Sequence, residues 1–127
     1  MDKNSGNTVQ GDPSRNLIEV RYQGRVSVAE VRAVSEGVMD LLPQMRQGFT
    51  FLADLSCLES MELDCVVEIT RIMDACNSAG IGTVVRIIPD PRKDIGLNIL
   101  SIIHYRRGVH VITCQNAEEA ERVLGGS

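Results

Sequence analysis

The sequence predicts an α/β fold, a single layer of largely parallel sheet with four to five strands and amphipathic helices as cover. Three observations carry that prediction. Short apolar or alternating segments recur along the chain, and most of them are followed by a stretch with helical spacing of its apolar residues. The connections are short, so strand and helix alternate in the way that demands right-handed crossovers between parallel neighbours. Two capping boxes, Ser27-Val-Ala-Glu30 and Asn116-Ala-Glu-Glu119, mark helix starts, since the first side chain takes an orphan amide and the glutamate reaches back.

The elements follow in order. Residues 1–15 are rich in Asn, Ser, Gly and Asp and carry Pro13 near their end, and they read as a disordered tail ahead of a domain over 16–125. Leu17-Ile-Glu-Val-Arg-Tyr22 alternates with period two, a half-buried strand, and Gln23-Gly24 supplies a turn. From Ser27 a helix is expected toward Leu42. Val31, Val34, Val38, Leu41 and Met45 share one face, and Pro43 ends or bends it. Phe49 to Leu55 is almost continuously apolar, as a strand covered on both faces is. A loop is expected over Ser56–Ser60, then a helix from about Glu62 to Ser78. Val66, Ile69, Met73 and Cys76 line its apolar face, Glu62 and Asp64 stand in its first turn, and Ala79-Gly80 forms its C-cap.

Thr83 to Ile88 predicts a third strand. Pro89-Asp90-Pro91 breaks it and opens a helix, with Asp90 as N-cap and Ile95, Ile99, Ile102 and Ile103 as the apolar face. Val109 to Cys114 predicts a fourth strand, and the second capping box opens a last helix through Leu124.

Bulk properties narrow the function classes. The 127 residues suit one core. A net charge of −4 and only four aromatic residues (Tyr22, Phe49, Phe51, Tyr105) argue against nucleic acid as a partner. No apolar run approaches the ~20 residues that span a bilayer, and no apolar leader segment is evident, so neither membrane insertion nor export is expected. The four cysteines (Cys57, Cys65, Cys76, Cys114) form no CxxC pair and the two histidines lie far from zinc spacing. Reduced, mostly buried thiols in the cytoplasm are the expected reading, with no metal and no cofactor.

Phe51-Leu-Ala-Asp54-Leu55-Ser56, then five residues, then Glu62-Leu-Asp64 at a helix start, resembles the STAS domain of the SpoIIAA-like (anti-sigma factor antagonist-like) family. Gly80-Ile81 leading into a Val-rich strand and the closing Asn116 helix resemble it as well, so the likeness covers about residues 16 to 124. It implies a non-enzymatic regulatory domain that binds a protein partner through Asp54, Ser56, Ser60, Glu62 and Asp64 and the following helix. The architecture is also that of CRAL-TRIO lipid carriers, which gives a small-ligand or lipid-binding alternative.

One departure matters. The family's phosphoacceptor serine, in an Asp-Ser-Ser-Gly turn, aligns with Asp64, and the glycine aligns with Cys65. A serine kinase has no substrate there. Aspartate mimics phosphoserine with less charge and fewer acceptor oxygens, and stabilising the helix start is role enough for it.

Other candidate residues also have plain structural roles open to them. Parallel sheets meet ligands at the carboxyl ends of their strands, so Asp90, Arg92, Lys93 and Asp94 form a candidate anion or ligand edge at a helix start. No glycine-rich loop precedes it, and a proline-set helix start accounts for the same residues. Arg86, inside an apolar strand, needs a partner if buried; Asp54 and Glu19 are candidates, and an open face or sheet edge is the alternative. His104-Tyr105 belongs at the amino end of the last strand, away from the expected ligand edge. Cys65 near a helix start has Glu62 and Asp64 opposing a thiolate. Carboxylates and hydroxyls at Asp54, Ser56, Ser60 and Asp90 leave an enzyme as the third reading, with nothing in the sequence that pairs them. A homodimer through an open sheet edge is a further expectation.

Overall fold

The computed structural model describes residues 6–88 and 109–125. Within them the chain forms one five-stranded sheet: β1 (Thr8–Asp12), β2 (Leu17–Val26), β3 (Thr50–Met61), β4 (Thr83–Ile87) and β5 (His110–Cys114). Three helices accompany it: α1 (Val28–Leu41), α2 (Cys65–Ala79) and α3 (Ala117–Gly125), with a 3-10 turn at Leu42–Gln44 where Pro43 ends the α-helical ladder. Strand order in the sheet is the order of the sequence. β1 runs antiparallel to β2, and β2 through β5 are parallel. The predicted class is the observed one.

Register decides which face each side chain meets. Ile18, Phe51 and Val84 are opposite one another and share one face, with Val20, Ala53 and Arg86 next along it. The strands advance steadily in one direction, so right-handed crossovers place α1 and α2 on that same face. Val31, Val34 and Val38 of α1 and Ile69, Ile72, Met73 and Cys76 of α2 meet it in the main core. The opposite face holds Leu17, Leu52, Val85, Ile87 and Cys114, a smaller cluster closed by Ala120, Val123 and Leu124 of α3. Helix α3 follows the last strand and is no crossover, so it is free to take this second face.

Local chemistry sets the helix ends. The Ser27 hydroxyl accepts from the Glu30 amide at 3.3 Å, and the Glu30 carboxylate accepts from the Ser27 amide at 2.8 Å, so both arms of the capping box form. Gly80 closes α2 in the left-handed conformation. At α3, the Asn116 side chain accepts from the Glu119 amide at 2.8 Å, but Glu119 reaches back to the amide of Gln115, one residue earlier than expected. A buried carboxylate ties the two crossover helices. Glu68 of α2 meets Arg32 of α1 at 3.4 Å and Arg71 at 3.6 Å.

Three expectations are corrected. Residues 8–12, read as tail, form the edge strand β1. Val9 and Gly11 lie on the α1 face, and a Cβ on Gly37 of α1 would stand 2.5 Å from Val9 Cγ1, so a glycine is what lets the helix sit this close to the strand. Gln23-Gly24, read as a turn, continues β2 with Gly24 at φ 72°. Ser56–Ser60, read as a loop, continues β3. Arg21 pairs with Asp54 but Gln23 with Cys57, and Gly24 pairs with Leu58 but Arg25 with Ser60. Each step leaves one extra residue in β3, the pattern of a β-bulge. These bulges break period two while keeping both Leu55 and Leu58 in the core. The helix expected at Asp90 lies outside the described residues.

Candidate functional site

The far end of β3 runs past the last β4 pairing and, still beside β2, reaches the start of α2. The chain turns through Glu62, Leu63 and Asp64. Glu62 precedes α2 rather than standing in its first turn. Its carboxylate accepts from the Val28 amide at 3.1 Å and so braces the start of α1. Asp64 holds the N-cap position of α2 but makes no side-chain cap bond. Behind it Cys65 is buried, and its thiol points to the Val26 carbonyl at 3.8 Å. Burial, then the Glu62 carboxylate, pushes that thiol above its ordinary range, which is the opposite of an activated nucleophile.

Two apolar side chains stand in water at this turn and just beyond it. Leu63 is 79% exposed and Val67 is 71% exposed, four residues apart on the side of α2 that leaves the core. The buried side of α2 is Cys65, Glu68, Ile69, Ile72, Met73 and Cys76, while Val66, read as a core position, is half-buried. Sequence reasoning did not single out Leu63 and Val67. The signal was present: with 100° per residue, Val67 stands about 200° from Ile69, so an apolar residue there cannot serve the same face.

Asp54 and Ser56 do come together. Asp54, 5% exposed, accepts from the Ser56 amide at 3.0 Å, from the Ser56 hydroxyl at 2.6 Å and from Arg21 Nε at 3.3 Å. They lie on the sheet face that α3 covers, on its β2–β3 side. Ser60, exposed, follows the second bulge. The described imidazole, His110, begins β5 at the amino end of the sheet, so it does not complete a catalytic group with Ser56.

Arg86 has neither expected carboxylate as its partner. In the ladder it stands beside Ala53, so it projects to the α1–α2 face, whereas Asp54 and Glu19 project to the other. Its guanidinium donates to the Thr113 hydroxyl at 2.6 Å, and at 6% exposure it occupies no open face. Asp90, Arg92, Lys93, Asp94, His104 and Tyr105 lie outside the described residues. Among the described residues no cluster of His, Cys, Asp or Glu is arranged to hold a metal, and no helix is long and apolar enough to cross a membrane.

A cleft of about 460 Å³ opens at the amino ends of the parallel strands, between the sheet and α3. Leu17, Val85, Ile112 and Val123 line it together with Arg15 and His110. That is the end of the sheet opposite to the one where ligands were expected.

The architecture is that of the SpoIIAA-like α/β fold, and solved structures bear it out. An uncharacterised protein with a SpoIIAA-like fold from Shewanella loihica PV-4 superimposes with a TM-score of 0.69 at 10% identity, covering 98% of both chains. The anti-sigma factor antagonist SpoIIAA in its unphosphorylated form gives 0.59 at 15% identity, over 94% of this chain and 99% of that one. An anti-sigma factor antagonist from Mycobacterium paratuberculosis gives 0.58 at 13% identity, over 94% and 92%. No family model matches the sequence, and neither does any curated protein.

Proposed function

We propose that this domain is a non-enzymatic regulatory interaction module that docks a protein partner on the end of β3, the Glu62–Asp64 turn and the first turns of α2. One observation carries the reading: Leu63 and Val67, large and apolar, are left in water at the very turn that the family resemblance marks as the interaction loop. The likeness to anti-sigma factor antagonists supports a regulatory role. The turn Glu62-Leu-Asp-Cys65 contains no hydroxyl, so the module works without a phosphoacceptor there. Its site is the cytoplasm, and its partner is a protein, with self-association as the competing outcome.

The test is capture of a partner from the source organism by the wild-type chain and by the Leu63→Ser/Val67→Ser variant. Loss of capture with an unchanged fold is expected, and equal capture by both would overturn the reading. Intact-mass analysis should show no phosphate on residues 62–65. The cleft beside α3 favours a second reading, a small-ligand or lipid-binding domain. Native mass spectrometry showing a bound lipid or small molecule would put that reading first.

A further inference from the structure

We infer that the partner of this surface presents an apolar socket bordered by lysine and arginine side chains. This rests on the docking surface proposed above and specifies its chemistry. From Glu59 to Asp64 the chain exposes three carboxylates, Glu59, Glu62 and Asp64, and no cation. Glu62 and Asp64 flank Leu63 directly, and Glu59 precedes them near the end of β3. Of the three, Glu62 has an internal task at the Val28 amide, whereas the Asp64 side chain makes no cap bond. Of the described cations nearby, Arg71 pairs with Glu68 at 3.6 Å, and Arg25, opposite Ser60 in the ladder, is one positive charge against the three carboxylates.

Docking on Leu63 and Val67 drives water from around these carboxylates. A neutral partner leaves them desolvated without compensation, and an acidic one adds repulsion. A basic rim satisfies them and steers the encounter, so association weakens as salt is raised. The same acidic border disfavours a second copy of this chain on the patch, because two such borders would face each other.

The experiment places a photo-crosslinking amino acid at Val67 in the full chain, expressed in the source cells. Adducts are identified and mapped by mass spectrometry. A second position, Ala33 on the exposed side of α1, serves as the comparison. The expected adduct at Val67 joins a different protein at an apolar residue flanked by Lys or Arg. Its yield should fall at least about tenfold in a Glu59→Lys/Asp64→Lys background, in line with the loss of steering between opposite charges. Circular dichroism verifies that the variant is folded.

An adduct with a second copy, an adduct on a surface without basic residues, or a yield indifferent to the charge reversal overturns the inference while leaving the docking surface standing. Adducts at Ala33 but none at Val67 remove the docking surface itself. No adduct at either position retires both.

Discussion

Replacing Gly37 with alanine should destabilise this protein, although the same change in an ordinary helix does the reverse. Gly37 lies inside α1, where alanine is normally favoured over glycine by about 1 kcal/mol. Here the new Cβ would stand 2.5 Å from Val9 Cγ1, and valine is too stiff to swing its methyl aside. Either β1 shifts off α1 or the side chains strain, at a cost typical of overpacking, about 1–3 kcal/mol. The net expectation is a loss of up to about 2 kcal/mol after the propensity gain is subtracted. Trimming the obstacle isolates the cause. In a Val9→Ala background, Gly37→Ala should instead stabilise by up to about 1 kcal/mol. The coupling between the two sites is then about 1–3 kcal/mol, large enough to read from urea midpoints of the four proteins in the cycle. If Gly37→Ala stabilises the wild-type chain by its full propensity value and the cycle shows no coupling, β1 does not rest on α1 as described.

Four further outcomes can be measured. Ser35 is fully buried on α1 and its hydroxyl finds no partner among the described residues, so Ser35→Ala should stabilise by about 1 kcal/mol, raising the melting temperature by about 3–5 °C; a lower melting temperature would expose a hidden bond. Ser27→Ala removes the acceptor for the Glu30 amide and should cost about 0.5–2 kcal/mol in chemical denaturation, with no change expected only if the start of α1 is frayed. Cys57 is exposed while Cys65, Cys76 and Cys114 are buried, so a thiol-exchange reagent at pH 8 should titrate one fast thiol in the native protein and four after unfolding. Burial pushes Cys76 up to about 12. The unfolded thiol ionises from about pH 8.5 while the folded one stays neutral, so stability should fall through that window by about 1.4 kcal/mol per pH unit for this group. A flat stability profile between pH 9 and 11 contradicts the burial of Cys76.

Much of the fold was legible because its signals are local. The Ser27 box, the Val31–Val34–Val38 stripe and the apolar core of β3 each depend on residues within a few positions of one another. What escaped depends on partners distant in sequence. Thr8–Asp12 has no strand-like composition, and it becomes a strand because β2 offers an unpaired edge and Gly37 leaves room for Val9. Ser56–Ser60 looked like a loop because two bulges spoil the alternation that marks a strand. Charge alone matches Arg86 to Asp54 and Glu19, and only the register shows that they project to opposite faces. At the candidate site, Asp54, Ser56, Glu62 and Asp64 stood out as polar residues in a short motif. Leu63 and Val67, which carry the proposal, are apolar, and solvent exposure is not written in residue type.

Strand order that copies sequence order has a consequence for how the chain is made. No strand needs to be inserted between two already paired, so each new strand adds to the free edge of the one before. Synthesis proceeds from the amino end, and a sheet of this kind can lengthen at its growing margin while later residues are still being joined. Of the described elements α3 is made last, after β5 has joined the sheet, and it seals the smaller of the two cores. Until then Leu52, Val85 and Ile87 lack that cover, so this face of the sheet stays adhesive until α3 emerges.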